Sequence, residues 1–361
     1  MPAPLLFLLI CLMAGCTKTE TKPGDPANEF EKYWQKASLP TMPRSAGAVG
    51  LLADGRVLLA CGTPPAGTAL TTTEIYDPAT DKWTVASTVS PQYGEEFVRL
   101  KSGKMVLLSR SSSIVQVFDP AKKGWMSPGT MSGQQGDRNT VSGACELQNG
   151  KVVLVGMSSI AVWDQNTSFV SYKQSNGSGA LDFSTVHQLP GTNQFIVFGN
   201  TYYQGQGVIY ELDPNAGNAP KAISVALPLS GLMMKSVEVS ASQVFLAGGS
   251  IGTDVRNNPV PPHLFNPADK TFTRLMNSIS GRVVVGKDPA GNVWFTDNYL
   301  SRYRFEAATQ KVVPVTIPGS TQPVPSPFPD GNFAMLGGNG TVFLSDGRLM
   351  AFTMDQAWIT K

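Results

Sequence analysis

The sequence has little charge and few histidines, and both scarcities exclude classes of function. Of its 361 residues, 15% are Asp, Glu, Lys or Arg, and the formal net charge is +2. No cluster of lysine or arginine stands out, so electrostatics gives no case for a nucleic-acid partner. The only two histidines, His187 and His263, lack the spacing of metal ligands. The sequence therefore predicts no nucleic-acid partner, no metal and no cofactor.

Long apolar runs and the common catalytic motifs are also missing. The longest apolar stretch, residues 5–13, is too short to span a bilayer as a mature helix. Little of the chain has the spacing of a long amphipathic helix. Walker, Rossmann and nucleophile-elbow patterns do not occur, which argues against the enzyme classes that depend on them.

Turn-forming residues are abundant, with 36 glycines and 27 prolines, and one turn motif recurs. Its best example is the corner at residues 77–83, where Asp77-Pro78 begins a turn and Trp83 begins the next strand-like run. Variants begin at positions 119, 164, 213, 266 and 306, so successive first positions differ by 42, 45, 49, 53 and 40. This period is typical of a propeller blade of four strands.

Seven strand–turn–strand units can be read between these corners. Their strand-like runs are 47–52 with 56–59, 97–100 with 104–107, 142–147 with 151–154, 183–189 with 195–198, 236–239 with 244–247, 282–285 with 292–295, and, in the seventh, 333–336 with 341–344 and 349–352. We expect an all-β fold, a seven-bladed β-propeller of four-stranded blades, that occupies residues 29–361 as one domain.

The strand that closes the ring has two candidates. Residues 34–38 resemble residues 83–87, the run after the best corner, but no complete blade precedes them. An N-terminal outer strand that completes the last blade would leave no loose edge. Residues 357–359 could alternatively be that outer strand.

The repeats resemble those of kelch proteins, and in particular the propeller of galactose oxidase-like proteins. The resemblance rests on Tyr76-Asp77-Pro78 with Trp83, on the turn at 54–58 (Asp-Gly-Arg-Val-Leu), and on the glycine pairs at 248–249 and 337–338. Galactose oxidase-like activity would imply a copper site of two His and two Tyr, one Tyr being cross-linked to Cys. The residue composition argues against such a copper site, because the sequence has only two histidines and neither Cys61 nor Cys145 has an evident Tyr partner.

The N-terminus resembles a bacterial lipoprotein signal. An apolar run ends in Ala14-Gly15-Cys16, although no Lys or Arg precedes the run and Met13 stands where Leu is usual. The resemblance implies a signal peptide at 1–16, lipidation of Cys16 and a polar linker at 17–28. With Thr17 after the cysteine, it implies a lipid-anchored protein of the bacterial envelope, at the outer membrane. An ordinary secretory signal or a short anchor is the alternative.

Long connections on one face of the propeller form the candidate binding surface. The second-to-third-strand and blade-to-blade connections include 62–73, 199–207, 249–263 and 317–331, while those on the opposite face are short. Tyr202 and Tyr203 are candidates for an aromatic contact, and Arg256 with Asn257 for polar contacts. We expect a non-catalytic module whose partner is a protein or a glycan.

A carbohydrate-active enzyme, sialidase-like or sugar isomerase-like, is the alternative. Arg44, Arg138 and Arg282 lie near the starts of inner strands, where they could hold an acidic sugar at the channel mouth. The aspartate box of sialidases is absent from the sequence, which favours the non-catalytic interpretation.

Overall fold

The computed structural model is all-β and describes most of the chain after the N-terminal segment. It describes residues 26–361 except 46, 66, 90–93, 110–111, 132–139, 157–158, 167, 174–181, 190–191, 193, 201–207, 214–218, 223–233, 249–260, 278, 280–282, 298 and 329–339. A short 3₁₀ helix, Pro26–Lys32, precedes the first strand. Among the described residues no helix is long and apolar enough to cross a membrane.

Seven four-stranded antiparallel sheets confirm the predicted seven-bladed propeller. In six blades the four strands follow one another from the inner to the outer edge. Blades one to three consist of β2 (Ala48–Leu51), β3 (Val57–Ala60), β4 (Thr72–Asp77), β5 (Lys82–Thr88); β6 (Gly94–Arg99), β7 (Met105–Ser109), β8 (Ile114–Asp119), β9 (Gly124–Thr130); and β10 (Gly143–Glu146), β11 (Val152–Val155), β12 (Ser159–Trp163), β13 (Val170–Lys173). Blades four to six consist of β14 (Asp182–Gln188), β15 (Gln194–Asn200), β16 (Val208–Asp213), β17 (Ala219–Ala222); β18 (Lys235–Ser240), β19 (Gln243–Ala247), β20 (His263–Asn266), β21 (Thr271–Arg274); and β22 (Val285–Lys287), β23 (Val293–Thr296), β24 (Arg302–Glu306), β25 (Lys311–Pro314).

Blade seven joins the two ends of the chain. Its inner three strands are β26 (Thr341–Phe343), β27 (Leu349–Phe352) and β28 (Ala357–Thr360), and its outer strand is β1 (Trp34–Lys36). β1 pairs antiparallel with β28, with Trp34 opposite Thr360. The N-terminal closure is thus confirmed, and residues 357–360 form the third strand rather than the outer one.

The strand order predicted for the seventh repeat was wrong by one position. Residues 341–344 were expected to form the second strand, but β26 is the inner strand. The turn at 345–348 corresponds to the Asp54-Gly55 turn of blade one, which joins an inner to a second strand. Residues 333–336, the expected inner strand, lie outside the described residues.

The hydrophobic core is divided into layers, one at each junction between blades. The layer between blades seven and one packs Val57 and Leu59 against Met350 and Phe352. Equivalent layers occur at the other six junctions. Because each sheet is apolar on both faces, it is stable only between two neighbours, and the ring is the arrangement that gives every blade two.

The tryptophan after each of the first two corners contacts the blade that precedes its own around the ring. The indole of Trp83 packs on Tyr76 and on Phe352 of blade seven, and its Nε1 donates to the carbonyl of Ser38 at 2.9 Å. In blade two, Trp125 Nε1 donates to Thr73 Oγ1 of blade one at 2.8 Å. The corner motif therefore has a structural role, which is to fix one blade against the next.

In four corners the fifth residue, which is not a glycine, adopts the left-handed backbone conformation. The φ angles at this fifth position are 51° for Asp81, 49° for Lys123, 61° for Lys270 and 57° for Gln310. This conformation brings Cβ close to the neighbouring carbonyl and costs about 1–2 kcal/mol for a non-glycine residue.

Replacing Lys123 or Lys270 with glycine is expected to stabilise the protein by roughly 0.5–1 kcal/mol each, since relief of this strain exceeds the added freedom of the unfolded chain. Urea denaturation would measure the change. Asp81→Gly is the contrasting variant, because the Asp81 carboxylate accepts hydrogen bonds from Tyr76 Oη and the backbone N–H of Ser38, both at 2.8 Å. It should lose stability, and a gain in all three variants would contradict this account.

Candidate functional site: the central channel and the loop face

The two faces of the ring carry very different connections. On one face, the connections from first to second and from third to fourth strands are short, and the longest of these is 164–169. The other face, named the loop face here, carries the second-to-third-strand and blade-to-blade connections. It includes 61–71, 131–142, 201–207, 223–234, 248–262 and 315–340.

The residues predicted to bind a partner all belong to loop-face connections. Tyr202 and Tyr203 lie between β15 and β16, and Arg256 and Asn257 lie between β19 and β20, in neighbouring blades. Arg138 and Arg282 lie in the connections before β10 and β22. These residues, and the predicted lipidation site, are outside the described residues: Tyr202, Tyr203, Arg256, Asn257, Arg138, Arg282 and Cys16.

Arg44 is the one predicted binding residue that the structure describes, and it is buried. Its side chain is 1% exposed and forms an ion pair with Glu74, which is 0% exposed. The guanidinium also donates to the carbonyls of Cys61, at 3.0 Å, and Thr72, at 2.8 Å. Burial lowers the pKa of Arg44, and the Glu74 carboxylate opposes this shift. The guanidinium is therefore engaged by blade one itself.

The inner strands enclose a central channel with a cavity of about 950 Å³. All seven blades contribute lining residues. Each inner strand is the edge of its sheet, so its outer hydrogen-bonding groups face the channel rather than another strand. The antiparallel order places the beginning of every inner strand at the loop face and its end at the opposite face.

An ion pair crosses the channel near the loop face. Lys235 begins β18 in blade five, and its ammonium pairs with the carboxylate of Glu96, near the start of β6 in blade two. The side chains are 28% and 38% exposed. Blades two and five are not neighbours, so the pair spans the opening. Both residues could be placed near inner-strand starts from the sequence, but their pairing could not.

A chain of polar side chains links blades four and five inside the channel. Ser236 Oγ is hydrogen-bonded both to Thr185 Oγ1 and to Nε2 of His187. Surrounding protein atoms lower the pKa of His187 to about 4, with the Lys101 charge as a smaller cause, so the imidazole is neutral at pH 7. Serine and histidine thus lie in the relation of nucleophile and base, but no described carboxylate orients the ring as a catalytic triad requires.

The two cysteines of the propeller, Cys61 and Cys145, are not joined by a disulfide bond. Cys61 is buried and Cys145 is half-buried where it lines the channel. Desolvation raises the pKa of Cys145 to about 12. A thiol in this environment stays protonated at neutral pH, whereas nucleophilic cysteines need the opposite shift.

At the other end of the channel, the last inner-strand residues fasten neighbouring blades. Arg99 Nη1 donates to the Leu52 carbonyl of blade one at 3.3 Å. Lys287 Nζ donates to the carbonyls of Glu238 and Val239 in blade five, at 2.9 and 3.0 Å. Sequence reasoning missed these contacts, although a charged residue just before an inner-strand turn is a usable signal.

Comparison with known proteins identifies the fold. No family model matches the chain, and no curated protein matches it by sequence. Among solved structures, a streptogramin B lyase is 12% identical over 91% of this chain and 97% of its own, with a TM-score of 0.58. A virginiamycin B lyase from Staphylococcus aureus, solved as a catalytically inactive histidine-to-alanine variant with quinupristin, is 11% identical over 91% and 98%, with a TM-score of 0.59.

A fungal alcohol oxidase of the AA5 family, solved with copper, is also similar. It is 13% identical, with a TM-score of 0.62, over 91% of this chain and 75% of its own. The similarity to a galactose oxidase-like domain is confirmed for the fold. At these identities the comparisons carry no information on activity.

The described residues do not fit the copper site of that class. His187 is hydrogen-bonded to Ser236, at the junction of blades four and five. His263 is the first residue of β20, and its Nδ1 donates to the Pro261 carbonyl at 2.6 Å. The two histidines therefore belong to different environments. Within the described part of the chain, no three His, Cys, Asp or Glu side chains are grouped closely enough to hold a metal ion.

Proposed function

We propose that this protein is a non-catalytic binding module of the bacterial envelope, which engages a protein or a glycan through its loop face. The observation that supports this proposal is the asymmetry of the ring: the long connections all leave the same face of a rigid scaffold. Binding residues in proteins lie disproportionately on such loops. The chemistry of the channel supports it too, since no carboxylate among the described residues orients His187 and Cys145 stays protonated.

The candidate contacts lie on neighbouring blades. The connections that carry Tyr202 with Tyr203 and Arg256 with Asn257 belong to blades four and five. Aromatic and arginine side chains are over-represented among the residues that contribute most to interfaces. We therefore place the centre of the interface over these two blades, with the envelope anchor, Cys16, at the end of the polar linker.

The proposal predicts that loop-face substitutions weaken partner binding and that substitutions on the opposite face do not. Glycan-array screening and pull-down from envelope extracts would first identify a partner, whose affinity would then be measured by biolayer interferometry. Tyr202→Ala/Tyr203→Ala should weaken binding by about tenfold or more, the effect expected for a central aromatic contact. Lys122→Ala, an exposed change at a corner on the opposite face, is the matched control. Palmitate labelling lost in Cys16→Ser would support the anchor.

Two results would contradict the proposal. Equal affinity of the tyrosine variant and the control would mean that the tyrosines of the loop face do not contribute to partner binding. Turnover of a glycan that Arg138→Ala abolishes would instead support the carbohydrate-active alternative. Labelling retained in Cys16→Ser would overturn the anchor while leaving the binding face to be judged on its own.

A further inference from the structure

The ion pair that crosses the channel leaves much of its hydrogen-bonding capacity unused. An ammonium carries three donors and a carboxylate accepts on two oxygens. Among the described residues, Lys235 Nζ and Glu96 Oε2 bond only to each other. Both side chains remain partly exposed at the loop-face opening. A ligand can therefore approach a positive and a negative group at the same place.

Two further polar groups belong to residues that line the same cavity from other blades. The hydroxyl of Thr341 in blade seven is buried and has no hydrogen-bond partner among the described residues. In blade four, only Nε2 of His187 is bonded, so Nδ1 is open to a partner within the described channel. Protein atoms cover the Thr341 hydroxyl, so a ligand in the cavity reaches it only if neighbouring side chains move.

Below the ion pair, apolar side chains form part of the cavity lining, beside the polar and charged residues of the other strand positions. Six blades each contribute an inner-strand valine to the lining: Val49, Val98, Val186, Val237, Val285 and Val342. A cavity of about 950 Å³ is at the upper end of the range for small-molecule sites. Small-molecule sites usually combine apolar lining residues with convergent polar groups, and both are present here.

We propose that the channel binds a small zwitterion with an apolar side chain, of the type of amino acids and dipeptides. Its carboxylate pairs with Lys235 and its ammonium with Glu96, while its side chain enters the valine-lined cavity. The exchange costs little, because a partly exposed ion pair contributes at most about 1 kcal/mol and the ligand supplies both counter-charges. This site is independent of the loop-face partner, so either proposal can fail without the other.

Calorimetric titration of the full chain with L-leucine and L-leucyl-L-leucine tests the ligand class and separates its two sources. N-acetyl-L-leucine and L-leucinamide are the matched probes, since each retains the side chain and removes one charge. At least one zwitterion should bind, and both single-charge probes should bind about tenfold or more weakly, because each leaves one protein charge uncompensated. N-acetyl-L-leucine binding as tightly as L-leucine would indicate an anion site and overturn the proposal, as would no binding of either zwitterion.

Substitutions test the position of the site. Glu96→Gln and Lys235→Met should each weaken zwitterion binding by about tenfold or more, while the exchanged pair Glu96→Lys/Lys235→Glu should restore it, since both charges return. The control is Arg348→Gln, which breaks the comparable ion pair with Asp346, whose side chains are 34% and 50% exposed. Its affinity should equal that of the wild type. Single variants that bind like the wild type, or an exchanged pair that binds no better than they do, would refute the site.

Discussion

Replacing Glu74 with alanine is expected to lower the free energy of unfolding by about 3–5 kcal/mol, because it leaves a buried guanidinium without its counter-charge. The Glu74 carboxylate pairs with Arg44, and neither side chain is more than 1% exposed. The same carboxylate accepts hydrogen bonds from the backbone N–H and hydroxyl of Thr41, at 2.7 and 2.5 Å, and from the N–H of Met42. The variant would therefore also release the segment that leads from β1 into blade one.

Thermal and urea denaturation would measure this effect, which corresponds to a fall in melting temperature of about 4–7 °C. Asp54→Ala is the matched control, since its ion pair with Arg56 has side chains 48% and 35% exposed and should contribute at most about 1 kcal/mol. The double variant Arg44→Met/Glu74→Leu should be more stable than Glu74→Ala, because it removes both buried charges. A Glu74→Ala protein as stable as the control would contradict the assignment.

The propeller could be predicted from the sequence because its signals are local. The Asp-Pro corners, the Asp-Gly turns and the apolar runs between them each depend on a few consecutive residues. A repeated local pattern also fixes the number of blades. The predicted strand order of the seventh repeat was wrong because the apolar runs at 341–344 and 349–352 fit two positions in a blade. Only the pairing of β1 with β28 decides between these positions.

The contacts of the candidate site could not be predicted because they join residues that are distant in sequence. Glu96 and Lys235 lie on non-neighbouring blades, and their pairing depends on the width of the channel. Arg44 illustrates the same limit, since its position before an inner strand suggests an accessible rim whereas the folded chain covers it. Hydrophobic period and turn chemistry contain no information on which charged groups meet across a ring.

Deleting residues 29–38 is expected to destabilise the whole ring, because this segment is the outer strand of blade seven. It removes the pairing of β1 with β28 and two flanking hydrogen bonds, from Ala37 N to Ala357 O at 2.9 Å and from Lys361 N to Tyr33 O at 2.8 Å. It also removes Trp34, which is 2% exposed and whose Nε1 donates to the Pro325 carbonyl at 2.9 Å. Truncation of a buried Trp alone costs about 3–5 kcal/mol.

The single substitution Trp34→Ala separates packing from strand pairing, and Lys36→Ala is its control, because Lys36 belongs to the same strand but is exposed. Trp34→Ala should lower the melting temperature by about 4–7 °C, and Lys36→Ala should leave the stability within about 0.5 kcal/mol. A deletion variant that melts like the wild type would contradict closure by β1.

Hydrogen exchange would show where the deleted ring opens. Each blade is stabilised by the apolar layers on its two sides. The loss of an outer strand should therefore first destabilise the two layers that border its blade. These are the layers of blade seven, which include Leu349 and Ala351 on one side and Met350 and Phe352 on the other. Amides of β27 and β28 should therefore lose protection before those of β11 and β15 on the far side of the ring. Uniform loss of protection in all blades would mean instead that the ring unfolds only as a whole.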